Sequence, residues 1–163
     1  MPDAWQDRVD AVWNDEALSD ADRIERIDAL AAERADDDPV ALFERAGALD
    51  SAGLEREAEE LYVRALAGGL DEGRRQRAVI QLASTIRNLG RVDEALDMLR
   101  EEYDRADPSP MRDAVAAFYA LALASSGQPV AAASIALTTL APHLPRYTRS
   151  VTGYAEELLT GRA

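Results

Sequence analysis

The stretch DSAGLEREAEELYVRAL, residues 50–66, carries Gly53, Ala58, Tyr62 and the pair Ala65 and Leu66. Thirty-seven residues on, NLGRVDEALDMLREEY places Gly90, Ala95, Leu99 and Tyr103 at the matching points. Thirty-seven further, SSGQPVAAASIALTTL places Gly127, Ala132 and Leu140 there. A glycine followed five residues later by an alanine, three times at one interval, needs a structural cause that acts three times.

The residues around these glycines are spaced for helices. Leu42, Ala46 and Leu49 fall at i, i+4 and i+7, as do Val79, Ala83 and Ile86, and Ala116, Ala120 and Leu123. Each trio lies on one helical face. No run alternates with period two, so strands are not expected. Asp38 before Pro39, Ser109 before Pro110, and Ser19 with Asp22 three residues on read as helix starts. Gly53, Gly90 and Gly127 read as left-handed residues closing one helix before the next begins. The spacing predicts helices over about 4–14, 19–34, 39–52, 55–68, 74–89, 92–106, 110–126, 129–141 and 146–160.

Composition bounds the chemistry. The chain of 163 residues suits one domain with its own core, and 47% apolar with 30% charged residues is ordinary for a globular protein. There is no cysteine, so thiol chemistry and disulfides are excluded. All basic residues are arginine, which excludes Schiff-base chemistry and a phosphate-loop lysine. Neither a signal peptide nor a membrane span is expected, which leaves the cytoplasm as the expected location. The net charge of −13 sits in residues 1–60, which hold 19 acids and six arginines. That acidic body is expected to repel nucleic acid and anionic membrane.

The period now has a cause. A helix pair cannot bury its apolar face alone, so like pairs stack and share a core. The glycine ends the first helix of each pair, and the small residue after it lets the second helix approach closely. Ala46, Ala83 and Ala120 do the same on the first helix. This pattern resembles the tetratricopeptide repeat, or TPR, and the chain is most similar to the small stand-alone bacterial TPR proteins. On that pattern Tyr62 is the aromatic of the second helix, replaced by Leu99 and Ala136 later, and Ala65 is followed by Glu102 and Thr139. Trp5, Val9, Val12 and Ala21 fall in phase one period earlier, but Glu16 replaces the turn glycine, so that first unit is degenerate.

The resemblance implies an all-α, right-handed superhelix of stacked antiparallel helix pairs with a C-terminal capping helix. It implies a single domain over 1–163: a degenerate unit at 3–35, clear units at 39–69, 74–106 and 110–141, and a cap at 146–160. It also implies a non-catalytic scaffold for protein binding, with a concave groove built from the first helix of each pair. The groove residues expected to meet a partner are Phe43, Arg77, Gln81, Ser84, Arg87, Asn88 and Phe118. Glu44, Gly47, Asp50 and Ser51 also fall on groove positions. The lysine and asparagine clamp by which some TPR domains hold chaperone tails is not matched here, so a chaperone-tail receptor is not expected.

Two stretches carry the functional expectations. GRRQRAVIQLASTIRNLGR, residues 73–91, has five arginines and no acid. Arg77 and Arg87 on the groove would anchor an acidic or carboxylate-ended peptide, because the guanidinium fork binds carboxylates in pairs. Pairing of these arginines with Glu55, Glu57, Glu59 and Glu60 is the structural alternative. Residues 114–142 contain no charge. Either the final helix covers them, through Val151, Tyr154 and Leu158, or they form a homodimer surface. His143, the only histidine, reads as a solvated loop residue, and Asp36, Asp37 and Asp38 lack the spaced oxygens and central glycine of a calcium loop. No catalytic cluster, metal site or cofactor is expected.

Overall fold

A computed structural model describes residues 4–105 and 108–161. Among them the chain forms α1 (Ala4–Asn14), α2 (Asp20–Ala31), α3 (Pro39–Ser51), α4 (Glu55–Gly68), α5 (Glu72–Asn88), α6 (Val92–Asp104), α7 (Arg112–Ser125), α8 (Pro129–Leu140) and α9 (Thr148–Thr160). A short 3₁₀ turn at Ala141–His143 precedes α9. No strand occurs among the described residues. The expected end of a helix at 106 and the start of the first unit at 3 lie outside them. Contacts group the chain into two units, residues 1–85 and 86–163, with the boundary inside α5.

The repeated glycines do one job. Gly53, Gly90 and Gly127 have φ of +76°, +88° and +80°, which only glycine adopts without strain. At each, the next residue's N–H reaches back five positions: Leu54 to Leu49, Arg91 to Ile86 and Gln128 to Leu123, at 2.9, 3.1 and 2.9 Å. These bonds satisfy carbonyls that the ending helix leaves free. The carbonyls of Leu54, Arg91 and Gln128 then accept the first bonds of the next helix, from Ala58, Ala95 and Ala132. Those three alanines are buried, as are Ala46, Ala83 and Ala120 on the preceding helices. The interval in sequence is thus an interval in backbone geometry and in close helix contact.

In the first unit α1 and α2 pair, α2 packs on α3, and α3 pairs with α4. Trp5, Val9, Val12, Ile27, Ala31, Ala41 and Ala48 form a common core. The Trp5 indole N–H donates to the Leu30 carbonyl at 2.8 Å, and the Arg34 guanidinium lies 3.9 Å from the ring centre. Degenerate at its turn, this part of the chain still packs as a helix pair. Ser19 caps α2 by accepting from the Asp22 N–H at 3.2 Å. Asp38 caps α3 by accepting from Ala41 at 2.8 Å, with Pro39 at the first helical position.

In the second unit α6, α7, α8 and α9 each pack on the next. Two expectations are corrected here. Helix α7 starts at Arg112, not Pro110, because Ser109 Oγ accepts from the Met111 N–H at 3.0 Å and closes a turn before the helix. Tyr154 does not cover the uncharged stretch: it is 66% exposed, while its neighbour Ala155 is fully buried. Ser134 Oγ donates to the Ala155 carbonyl at 2.7 Å, and a contact that close leaves room for a small side chain only.

Candidate functional site

Of the expected groove residues, Phe43, Arg77, Gln81 and Ser84 belong to the first unit. Arg77, Gln81 and Ser84 stand at i, i+4 and i+7 on α5, one row of a helix face. Asp71 starts that helix by accepting from the Arg74 N–H at 3.1 Å. Arg74 and Arg75 pair with Asp71 and Glu72, three residues back. Those acids offset the unfavourable placing of positive charge in a first helical turn, and the Arg74 guanidinium holds the Asp71 carboxyl below its ordinary range.

Arg77 makes no ion pair among the described residues. Its exposed guanidinium lies 5.1 Å from the centre of the Phe43 ring. Phe43, expected as an open apolar anchor, is only 2% exposed. It packs beneath Arg77 and against Tyr62, whose ring centre is 6.3 Å away. Phe43 therefore supports the arginine and presents no surface of its own. One turn along α5, Gln81 keeps its amide oxygen buried with no hydrogen-bond donor. The exposed Arg77 guanidinium is able to meet a carboxylate or peptide carbonyl, while the Gln81 oxygen beside it lies below the surface.

The floor beside them is a polar network that sequence reading missed. Asp50 accepts from Thr85 Oγ at 3.0 Å and, more loosely, from the Tyr62 hydroxyl at 3.4 Å. Thr85 also lies 2.9 Å from the Gln81 carbonyl, so its single proton serves one acceptor at a time. Burial pushes the Asp50 carboxyl above its ordinary value of 3.8, with the bonds from Thr85 and Tyr62 acting against that shift. Burial, and then the negative charge of Asp50, drives the Tyr62 hydroxyl far above its own usual range. Trp13, from α1, donates its indole N–H to buried Glu44 at 2.8 Å. A Cβ on Gly47 would stand 3.3 Å from the Trp13 ring, so a glycine is what lets the indole lie there. Adding the repeat period to 13 lands on 50, a groove position. That arithmetic could have found Trp13.

The raised Asp50 carboxyl has a measurable consequence. Between its unfolded and folded pKa the native state binds more protons than the unfolded chain, so this group adds stability as pH falls and loses it as pH rises. Asp50→Asn keeps an acceptor for Thr85 and Tyr62 and removes the titration. It is expected to be more stable than the parent at neutral pH, with the difference shrinking as pH falls toward 3.8. Urea unfolding of both proteins across that range checks this; a difference independent of pH contradicts it.

Arg87 and Asn88, in the last turn of α5, and Phe118 on α7 belong to the second unit. Asn88 is exposed, while Arg87 and Phe118 are half-buried. In the same unit His143 is not merely solvated: its Nε2 stands 3.0 Å from Asp113 Oδ2, although both side chains remain mostly exposed. A recess of about 260 Å³ opens between α2 and α3, lined by Ala31, Ala32, Ala35 and Ala41 with the ion-paired Asp28 and Arg45. None of the expected groove residues lines it.

The family model for the tetratrico peptide repeat matches residues 39–158. The chain belongs to the tetratricopeptide-repeat family. Members are typically interaction modules rather than catalysts. The TPR match starts where Asp38 caps α3, leaving α1 and α2 outside it, and it runs on through most of α9. No curated protein and no solved structure matches the chain. Among the described residues no helix is long and apolar enough to cross a membrane.

Proposed function

We propose that this protein is a protein–protein interaction module without catalysis of its own, folded as one TPR array, and that the Arg77, Gln81 and Ser84 row of α5 receives an acidic or carboxylate-ended peptide. The observation that carries this reading is the exposed Arg77 guanidinium, unpaired among the described residues and held on Phe43. A guanidinium already ordered by an aromatic ring has less freedom to lose when it binds. In the second unit Arg87, Asn88 and Phe118 are proposed as contacts of their own.

The chain's net charge of −13 opposes an anionic partner at long range, so the anchoring must be local. A displayed library of random peptides panned against the protein is expected to enrich Asp, Glu and free C-termini. Recovered peptides should bind Arg77→Ala at least about tenfold more weakly, the scale of one charge-assisted hydrogen bond. Enrichment of basic or purely apolar peptides, or unchanged binding to a well-folded Arg77→Ala, places the binding surface elsewhere.

A further inference from the structure

Within the second unit, α6 and α8 are the same element one period apart, which allows their faces to be compared residue by residue. In α6, Leu96 and Leu99 are 5% and 2% exposed, and Tyr103 stacks on Tyr119 of α7 with ring centres 5.1 Å apart. The leucines of this face, at i, i+3 and i+7, are buried in α6, and its last residue meets α7. Thirty-seven residues on, the same positions of α8 are Ala133, Ala136 and Leu140. All three are exposed, Leu140 at 49%, and Val130 at the start of the helix is 53% exposed. Helix α9 does pack on α8, and Ala155 meets it at Ser134, one position round the helix from Ala133. The face whose leucines are buried in α6 stands open in α8.

An exposed helical face without a polar residue is the kind of surface that marks an interface. Its charge setting says which partner suits it. Residues 114–142 carry no charge, and residues 86–163 hold ten acids and eight arginines against 21 acids and ten arginines in residues 1–85. A chain this acidic repels its own copies wherever residues 1–85 meet, and least where an uncharged face meets its equal. A two-fold contact needs a patch that complements itself, and an uncharged apolar row meets that condition. The row repeats a face whose leucines are buried in α6, and Ala133 and Ala136 leave space for close approach.

We infer that the Ala133, Ala136 and Leu140 face of α8 is a self-association surface, on which a second copy of this chain lays the same face about a two-fold axis. Light scattering coupled to size exclusion is expected to show the parent passing reversibly from one chain mass to two as concentration rises. Ala136→Glu and Leu140→Glu each place two like charges across the axis, and each should weaken the dimer at least about tenfold. Both positions are exposed in the single chain, so helix content by circular dichroism should stay that of the parent. Rising salt should leave the dimer intact or strengthen it, as repulsion between the acidic residues is screened. Arg77→Ala should dimerise like the parent, which separates this surface from the peptide row. A parent that keeps one chain mass at every concentration overturns the inference. So does a dimer that survives both glutamates, or one that Arg77→Ala abolishes.

Discussion

Tyr62→Ala is expected to remove about 3–5 kcal/mol of stability, the cost of emptying a buried aromatic site. Tyr62 is fully buried and packs on Phe43. Its hydroxyl reaches Asp50, and it stands within 4 Å of where a Gly47 side chain would be. The ring therefore supports three things at once: the core between α3 and α4, the Phe43 platform under Arg77, and the Asp50 network. Small domains are stable by about 5–15 kcal/mol, so a loss of this size brings the protein close to unfolding at physiological temperature. Tyr62→Phe separates ring from hydroxyl. The bond to Asp50 is long at 3.4 Å, so losing it should cost no more than about 1 kcal/mol. Urea unfolding followed by circular dichroism reads both variants. If Tyr62→Ala falls within about 1 kcal/mol of the parent, the site collapses without a cavity and the packing described for it is wrong.

Leu99→Ala should cost about 2–5 kcal/mol, by the same physics in the second unit. Leu99 occupies the repeat position of Tyr62 and is 2% exposed beside Leu96 and Ala95, both buried. The third residue of that series, Ala136, is exposed. Truncation at this position should therefore be expensive twice, while the third already carries an alanine. The pair of variants also tests whether the chain unfolds as one array. Helix α5 runs unbroken through the boundary between the units, and a continuous helix favours one transition over two. Tyr62→Ala and Leu99→Ala should each lower a single melting transition as a whole. A melt in which each variant shifts only half of the helical signal shows instead that the units unfold separately.

The sequence by itself determined features that are set by neighbours a few residues away. Helix starts at Asp38 and Ser19 are set by a side-chain oxygen and an N–H three residues on. The turns at Gly53, Gly90 and Gly127 are set by one residue able to take positive φ, so a fixed interval in the chain became a fixed interval in the backbone. The all-α repeat was legible for that reason. At Ser109 the local rule held but its product differed: the hydroxyl capped a turn, and α7 began later.

Only the tertiary structure decided which side chain covers which. Phe43 and Arg77 both fall on groove positions, yet one lies under the other, because a planar cation and a ring from separate helices stack when brought together. Trp13 reaches Glu44 and Gly47 across more than thirty residues of chain. Val151, Tyr154 and Leu158 share a helical face by spacing, but Ala155 makes the close contact and Tyr154 stands in solvent. Periodicity states that a face exists. What covers it depends on the size and angle of an element far along the chain, and those are fixed only when the helices pack.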